Sequence, residues 1–112
     1  MAYTFKEENG IVVFELAGKI MGTPEDMSII DKFGELAEQE KVQLVLDLSR
    51  VDWMNSRGLG ICVSGVTTTR NRGGDLRLAA PSENVKTFLD KCKMFAVIKS
   101  YDTVEEAIKS FQ

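Results

Sequence analysis

The chain has 112 residues, 44% of them hydrophobic and 28% charged, which is the composition of one globular domain that we expect to span residues 1–112. Its formal net charge of −3 provides no basic field for a polyanion, so the sequence predicts no direct binding to nucleic acid. The chain contains no histidine, which excludes a Ser-His-Asp triad, a Cys-His dyad and a His-ligated zinc site built from this chain alone.

The N-terminal segment and the two cysteines bear on where the protein resides. The first ten residues, MAYTFKEENG, contain neither the basic segment nor the apolar core of a signal peptide. No apolar run approaches the ~20 residues needed to cross a bilayer, so we expect a cytoplasmic protein with no direct membrane insertion. Cys62 and Cys92 are far apart, each in a predicted helix, and we expect both to be buried free thiols.

The chain opens with the pattern of an antiparallel hairpin. Tyr3 and Phe5 alternate with polar neighbours, and Asn9-Gly10 separates them from a second apolar run, Ile11 to Leu16. Both turn residues tolerate the positive φ of a type I′ turn, so the first two strands are predicted to pair antiparallel.

A loop and a first helix are predicted next. Residues 18–22 read as the loop, and Thr23-Pro24 predicts the helix start, with the threonine as cap and proline at the first helical position. The apolar residues of its predicted buried face are Ile29, Ile30, Phe33, Leu36 and Ala37.

The central strand and the helix that follows it are the most informative stretch. The run from Val42 to Leu48 is almost continuously apolar, which indicates a strand covered on both faces. Residues 49–52 predict a bend, and Asn55 and Ser56 are residues favoured at helix caps. The stripe Leu59, Val63 and Val66 predicts the helix itself. Ser56 is therefore expected at a helix N-terminus, where unpaired N–H groups and the macrodipole favour an anion.

The remaining elements complete an α/β pattern. Residues 72–74 predict a stop, residues 76–80 a strand, Pro81-Ser82 a helix start, and Val97-Ile98 a short strand. The last helix begins with the capping box Thr103-x-x-Glu106. The predicted order is β-β-α-β-α-β-α-β-α, a mixed sheet with an antiparallel N-terminal hairpin, then parallel strands, and four helices.

The stretch Asp47-Leu48-Ser49, Val51, Trp53 and Met54-Asn55-Ser56-Arg57-Gly58-Leu59-Gly60 resembles the signature of STAS domains, specifically of the single-domain bacterial anti-sigma factor antagonists. The element order fits this family over essentially the whole chain. In that family the serine before x-Gly-Leu-Gly is phosphorylated by a partner kinase, and this resemblance points to Ser56. The preceding residue is typically Asp but is Asn55 here, and the following residue is usually small but is Arg57.

The resemblance implies a non-enzymatic switch without cofactor or metal. The unphosphorylated domain would bind an ATP-binding, kinase-type anti-sigma factor and free a sigma factor, and a serine phosphatase would reverse the phosphorylation of Ser56. The partner-binding residues implied are Met21, Thr23, Asp47, Ser49, Asp52, Met54, Asn55, Ser56, Arg57, Gly58 and Gly60.

Other interpretations remain beside this one. Ser56 could be only a helix cap worth about 1 kcal/mol, and the domain could be a constitutive accessory subunit of a lipid-transport ABC ATPase or a small-ligand sensor. Gly58-Leu59-Gly60 lacks the third glycine of a dinucleotide fingerprint, and Met54 replaces the first glycine of a hydrolase nucleophile elbow. Trp53 is expected to be a core residue under the second helix, and Asp47 a turn or capping group.

Overall fold

The computed structural model describes all residues 1–112 as a five-stranded sheet in the order β1-β2-β3-β4-β5. The strands are β1 (Ala2–Glu8), β2 (Ile11–Ile20), β3 (Gln43–Met54), β4 (Asp75–Ala79) and β5 (Ser100–Tyr101). The helices are α1 (Pro24–Glu38), α2 (Ser56–Arg70), α3 (Glu83–Lys91) and α4 (Val104–Lys109), with a 3-10 turn at Met94–Ala96. Strand β1 runs antiparallel to β2 and all other neighbours are parallel, which confirms the predicted fold class and element order.

The hairpin turn forms where the sequence places it. Asn9 and Gly10 have φ of 54° and 81°, the positive values that a type I′ turn requires. Glu8 pairs with Ile11 across the turn, and the register continues to Ala2 opposite Ala17.

Two stretches predicted as irregular are strands that pair with each other. Strand β2 continues to Ile20 through the predicted loop, and β3 continues to Met54 through the predicted bend. Ala17 lies opposite Arg50 and Ile20 opposite Met54, with register shifts along the way. The polar composition of both stretches resembled a turn because this end of the sheet is open to solvent on one side.

Helices cover both faces of the sheet unequally. Alternate residues of β2 and β3, among them Phe14 and Leu46, belong to the larger core under α1, α2 and α3. The residues between them, such as Val13 and Val45, pack with Ala107 of α4 in a smaller core on the opposite face. None of the helices combines the length and apolar character required to cross a bilayer.

The prediction for Trp53, beside the second helix, was wrong. Trp53 is 44% exposed instead of buried, because Met54, its neighbour on the strand, is the residue that turns into the core. The helix predicted from Leu59, Val63 and Val66 is confirmed as α2. Leu59 is half-buried and Val63 exposed in it, because Gly58 and Gly65 form part of the buried face without contributing a side chain.

The C-terminal region also departs from expectation. The predicted strand at Val97-Ile98 is absent, since Val97 is exposed after the 3-10 turn and the fifth strand begins at Ser100. Of the two cysteines, Cys62 is buried, and burial raises the pKa of its thiol to about 12. Cys92 is exposed: α3 ends at Lys91, so Cys92 is the C-cap and does not continue the buried face of Val85 and Leu89.

Candidate functional site

The N-terminus of α2 is capped by Asn55 and not by Ser56. Asn55 has extended backbone angles, and its side-chain oxygen accepts the N–H of Arg57 at 3.0 Å. Ser56 is the first helical residue and is exposed to solvent. Ser56 is therefore exposed at the helix start and does not act as the helix cap, which was the alternative interpretation of this residue.

The loop between β2 and α1, residues 21–23, is fastened to this helix start. The Asn55 side-chain amide donates to the Met21 carbonyl at 3.0 Å, and its backbone N–H donates to the Ile20 carbonyl at 3.2 Å. Arg57 donates from Nη1 to the Gly22 carbonyl at 3.3 Å. The two residues that differ from the family pattern are thus the two whose side chains join the start of α2 to the loop.

The other side of the loop is held by Asp26. One carboxylate oxygen accepts the backbone N–H groups of Met21, Gly22 and Thr23 at 3.0, 3.0 and 3.2 Å, and the other faces the N-terminal ammonium at 2.9 Å. Thr23 Oγ1 accepts the Asp26 N–H in return, which completes the capping box of α1.

Asp26 is fully buried, and the groups around it stabilise its ionised form. Burial opposes the charged form, but the ammonium and the three loop N–H groups outweigh it and bring the pKa of Asp26 down to about 2 from the ordinary 3.8. The loop is consequently tied to both α1 and α2.

Two glycines allow these elements to approach each other. Gly22 has φ of +84°, and a Cβ there would collide with the Arg57 side chain that covers it. A Cβ on Gly58 would lie 3.0 Å from the Met54 Cβ and 3.2 Å from the Ile20 Cγ2. Neither position tolerates a side chain without displacing the helix start or its loop.

An exposed groove lies beside the loop. It has a volume of about 430 Å³ and is lined by Lys19, Met21, Asp52, Trp53 and Asn84. Met21 and Trp53 are 50% and 44% exposed, so two large apolar side chains face solvent here. The sequence analysis did not identify three of these lining residues. It placed Trp53 in the core and Lys19 in a loop without a binding role. Nothing in the sequence pattern marked Asn84, which lies on α3.

The predicted partner-binding residues divide into three groups. Met21, Thr23, Asp52, Ser56, Arg57 and Gly60 are exposed around the start of α2, and with Trp53 we call them the Ser56 surface. Asn55 is half-buried beside it, whereas Met54 and Gly58 are buried and support the surface from below.

Asp47 and Ser49 lie apart from this group. They are on β3, roughly 23–30 Å of extended strand before the helix start at Ser56. Asp47 is half-buried and accepts the Ser49 N–H at 3.0 Å, in a local turn-like bond. The structure therefore does not bring these two residues to the Ser56 surface.

Comparison with known proteins identifies the family. Residues 2–107 match the family model of the STAS domain. A Thermotoga neapolitana protein, named as a candidate anti-sigma factor antagonist, is 30% identical over 80 residues, which cover 71% of this chain and 71% of that protein.

Solved structures agree on the fold. A candidate anti-sigma factor antagonist from Thermotoga maritima gives a TM-score of 0.85 at 24% identity, over 96% of this chain and 92% of the other. The unphosphorylated anti-sigma factor antagonist SpoIIAA gives 0.83 at 20% identity, over 98% and 96%. The phosphorylated form of SpoIIAA from Bacillus gives 0.76 at 19% identity, over 99% and 100%. With the family match spanning nearly all of its length, the chain belongs to the STAS domain family.

Proposed function

We propose that this protein is an anti-sigma factor antagonist. Its unphosphorylated form binds a kinase-type, ATP-binding anti-sigma factor through the Ser56 surface and so releases a sigma factor. Phosphorylation of Ser56 by that kinase ends the interaction, and a serine phosphatase restores it. The names of the relatives support the regulatory class, and SpoIIAA, a protein of the same fold, exists in a phosphorylated form.

The observation that carries the proposal is the position of Ser56. It is exposed in the first turn of α2, and the capping bond that would otherwise occupy such a residue is made by Asn55. Its hydroxyl is therefore available to a kinase that transfers the γ-phosphoryl group of ATP. In that step the bond from phosphorus to the ADP oxygen breaks, a bond to Ser56 Oγ forms, and the serine proton passes to a base of the kinase.

The physical basis of the switch is local charge. A phosphoserine adds about −1.5 to −2 charges, which the positive end of the α2 dipole tolerates within the domain. A closely packed partner surface built to meet an uncharged serine loses affinity through desolvation and repulsion. Because the loop and helix start are pinned by Asn55 and Asp26, the switch requires no rearrangement of the fold.

Binding measurements with three proteins test the proposal. Wild type, Ser56→Asp and Ser56→Ala are used to recover partners from native extract, and the recovered kinase-like protein is then purified and titrated calorimetrically. We expect wild type and Ser56→Ala to bind it and Ser56→Asp to bind at least about tenfold more weakly. Incubation with ATP and the purified kinase-like protein should add one phosphoryl group per molecule to wild type and none to Ser56→Ala.

The same experiment separates the competing functions. All three proteins should have equal melting temperatures within about 2 °C, because Ser56 makes no capping bond. Equal recovery of a transporter ATPase by all three would overturn the proposal in favour of a constitutive accessory subunit.

A further inference from the structure

Arg57 is a cation without a carboxylate partner at the start of α2. Arg70 and Arg77 both pair with Asp75, at 2.9 and 3.0 Å, whereas no carboxylate lies within ion-pairing distance of Arg57. The one bond of its guanidinium is the 3.3 Å contact to the neutral Gly22 carbonyl. Four of its five N–H donors are therefore left to solvent.

This placement is electrostatically unfavourable in the unmodified protein. The helices α1, α3 and α4 each carry an acidic residue in the first turn, as the macrodipole favours, and α2 carries none. A cation in that turn opposes the positive end of the helix dipole. A negative charge on the neighbouring residue would reverse the balance.

We propose that the guanidinium of Arg57 is the intramolecular ligand of a phosphoryl group on Ser56. The inference rests on the proposed function, which makes Ser56 the modified residue. Arg57 directly follows Ser56, and its side chain lies over Gly22 and donates to the Gly22 carbonyl. The guanidinium is therefore beside the loop that Asn55 joins to the helix start. Exchanging one long bond to a neutral carbonyl for charge-assisted, bidentate bonds to a phosphate is favourable.

The consequence is a local change in the loop. When Arg57 turns to the phosphate, the Gly22 carbonyl loses its donor, while Asp26 continues to hold the Met21, Gly22 and Thr23 N–H groups. The phosphorylated protein therefore keeps its fold, with part of the added charge neutralised within the chain and the Gly22 carbonyl left without its side-chain donor.

Phosphorus NMR of protein carrying phosphoserine at position 56, incorporated during translation, tests this without any kinase. The second pKa of the phosphate, ordinarily about 6, is titrated in the wild-type background, in Arg57→Gln and in Arg50→Gln. Arg50 is an exposed arginine on β3, so its variant removes the same charge elsewhere. We expect Arg57→Gln to raise that pKa by about 0.5–1 unit and Arg50→Gln to leave it unchanged within about 0.2.

The result separates a specific ligand from net charge and from the proposed function. Equal pKa values in wild type and Arg57→Gln, or equal shifts in both variants, would overturn the inference. Arg57→Lys keeps the positive charge but cannot make the bidentate bonds of a guanidinium, so its phosphate pKa should lie between those of wild type and Arg57→Gln. This variant also guards against a folding defect in the glutamine variant. If no kinase modifies Ser56 in the cell, the proposed function falls, yet the NMR shift can still be present.

Discussion

Two glycines in the long helices have no neighbour that would exclude a side chain. A Cβ on Gly60 of α2, or on Gly34 of α1, would have nothing within 4 Å. Glycine inside a helix costs about 0.8–1 kcal/mol relative to alanine, so neither residue is explained by packing. Gly65 is different, because a Cβ there would collide with Leu76 and come within 3.0 Å of Phe33. Only Gly60 lies on the Ser56 surface, one turn beyond the serine.

Alanine at these two positions should separate stability from binding. We expect Gly60→Ala and Gly34→Ala each to raise the free energy of unfolding by about 0.8–1 kcal/mol, measured by urea denaturation. Gly60→Ala should also weaken binding to the proposed anti-sigma factor partner, because a methyl group would separate that partner from the helix backbone, whereas Gly34→Ala should bind as wild type. Unchanged affinity in Gly60→Ala would remove this turn of α2 from the contact surface.

The helices could be located from sequence better than the strands beside the site. Their starts depend on local chemistry, and the Thr23 and Asn55 caps form as the residue types suggest. The extension of β2 to Ile20 and of β3 to Met54 depends instead on pairing between segments far apart in the chain. The same limitation misplaced Trp53, whose direction is set by the register of that pairing.

The loop between β2 and α1 gives the domain an acid-sensitive element. Asp26 has a folded pKa of about 2 against an ordinary 3.8, so the unfolded chain binds more protons between these values. Its contribution of about 2 kcal/mol is therefore fully present above pH ~4 and is lost as the pH falls toward 2.

Replacement of Asp26 by asparagine should remove this sensitivity. We expect Asp26→Asn to be less stable than wild type at pH 7 by about 2 kcal/mol or more, since a buried ammonium loses its partner. Its stability should fall less steeply than that of wild type between pH 4 and 2, as measured by urea denaturation across this range. If the free energy of unfolding falls equally steeply with pH in both proteins between pH 4 and 2, Asp26 is not the source of the acid sensitivity.

The two faces of the sheet are covered by different helices, and the proposed partner surface lies on one of them. The Ser56 surface is formed at one end of the layer of α1, α2 and α3, while α4 closes the opposite face alone. The sequence contained the alternation that builds both cores, but it did not show which polar groups fix α4. Those groups are on β4: Arg77 donates to the Ser110 carbonyl and hydroxyl at 2.7 Å and lies 4.0 Å from the centre of the Phe111 ring.

Loss of Arg77 should therefore weaken the fold and leave the proposed partner surface, the Ser56 surface, intact. In Arg77→Met, the aliphatic stem remains while the bonds to Ser110 and Asp75 are lost, and we expect about 2 kcal/mol of destabilisation. Burial opposes ionisation of Asp75, but Arg77 and Arg70 hold its pKa below the usual range, so the variant should also raise that pKa. Arg50→Met, which removes an exposed arginine from β3, is the matched control and should lose less than about 0.5 kcal/mol of stability.

Urea denaturation measures the stability of both variants. Calorimetric titration of the folded variants with the anti-sigma factor should give wild-type affinity within about twofold. A large loss of affinity in folded Arg77→Met would mean that the α4 face takes part in binding, and the separation of the two faces would be wrong.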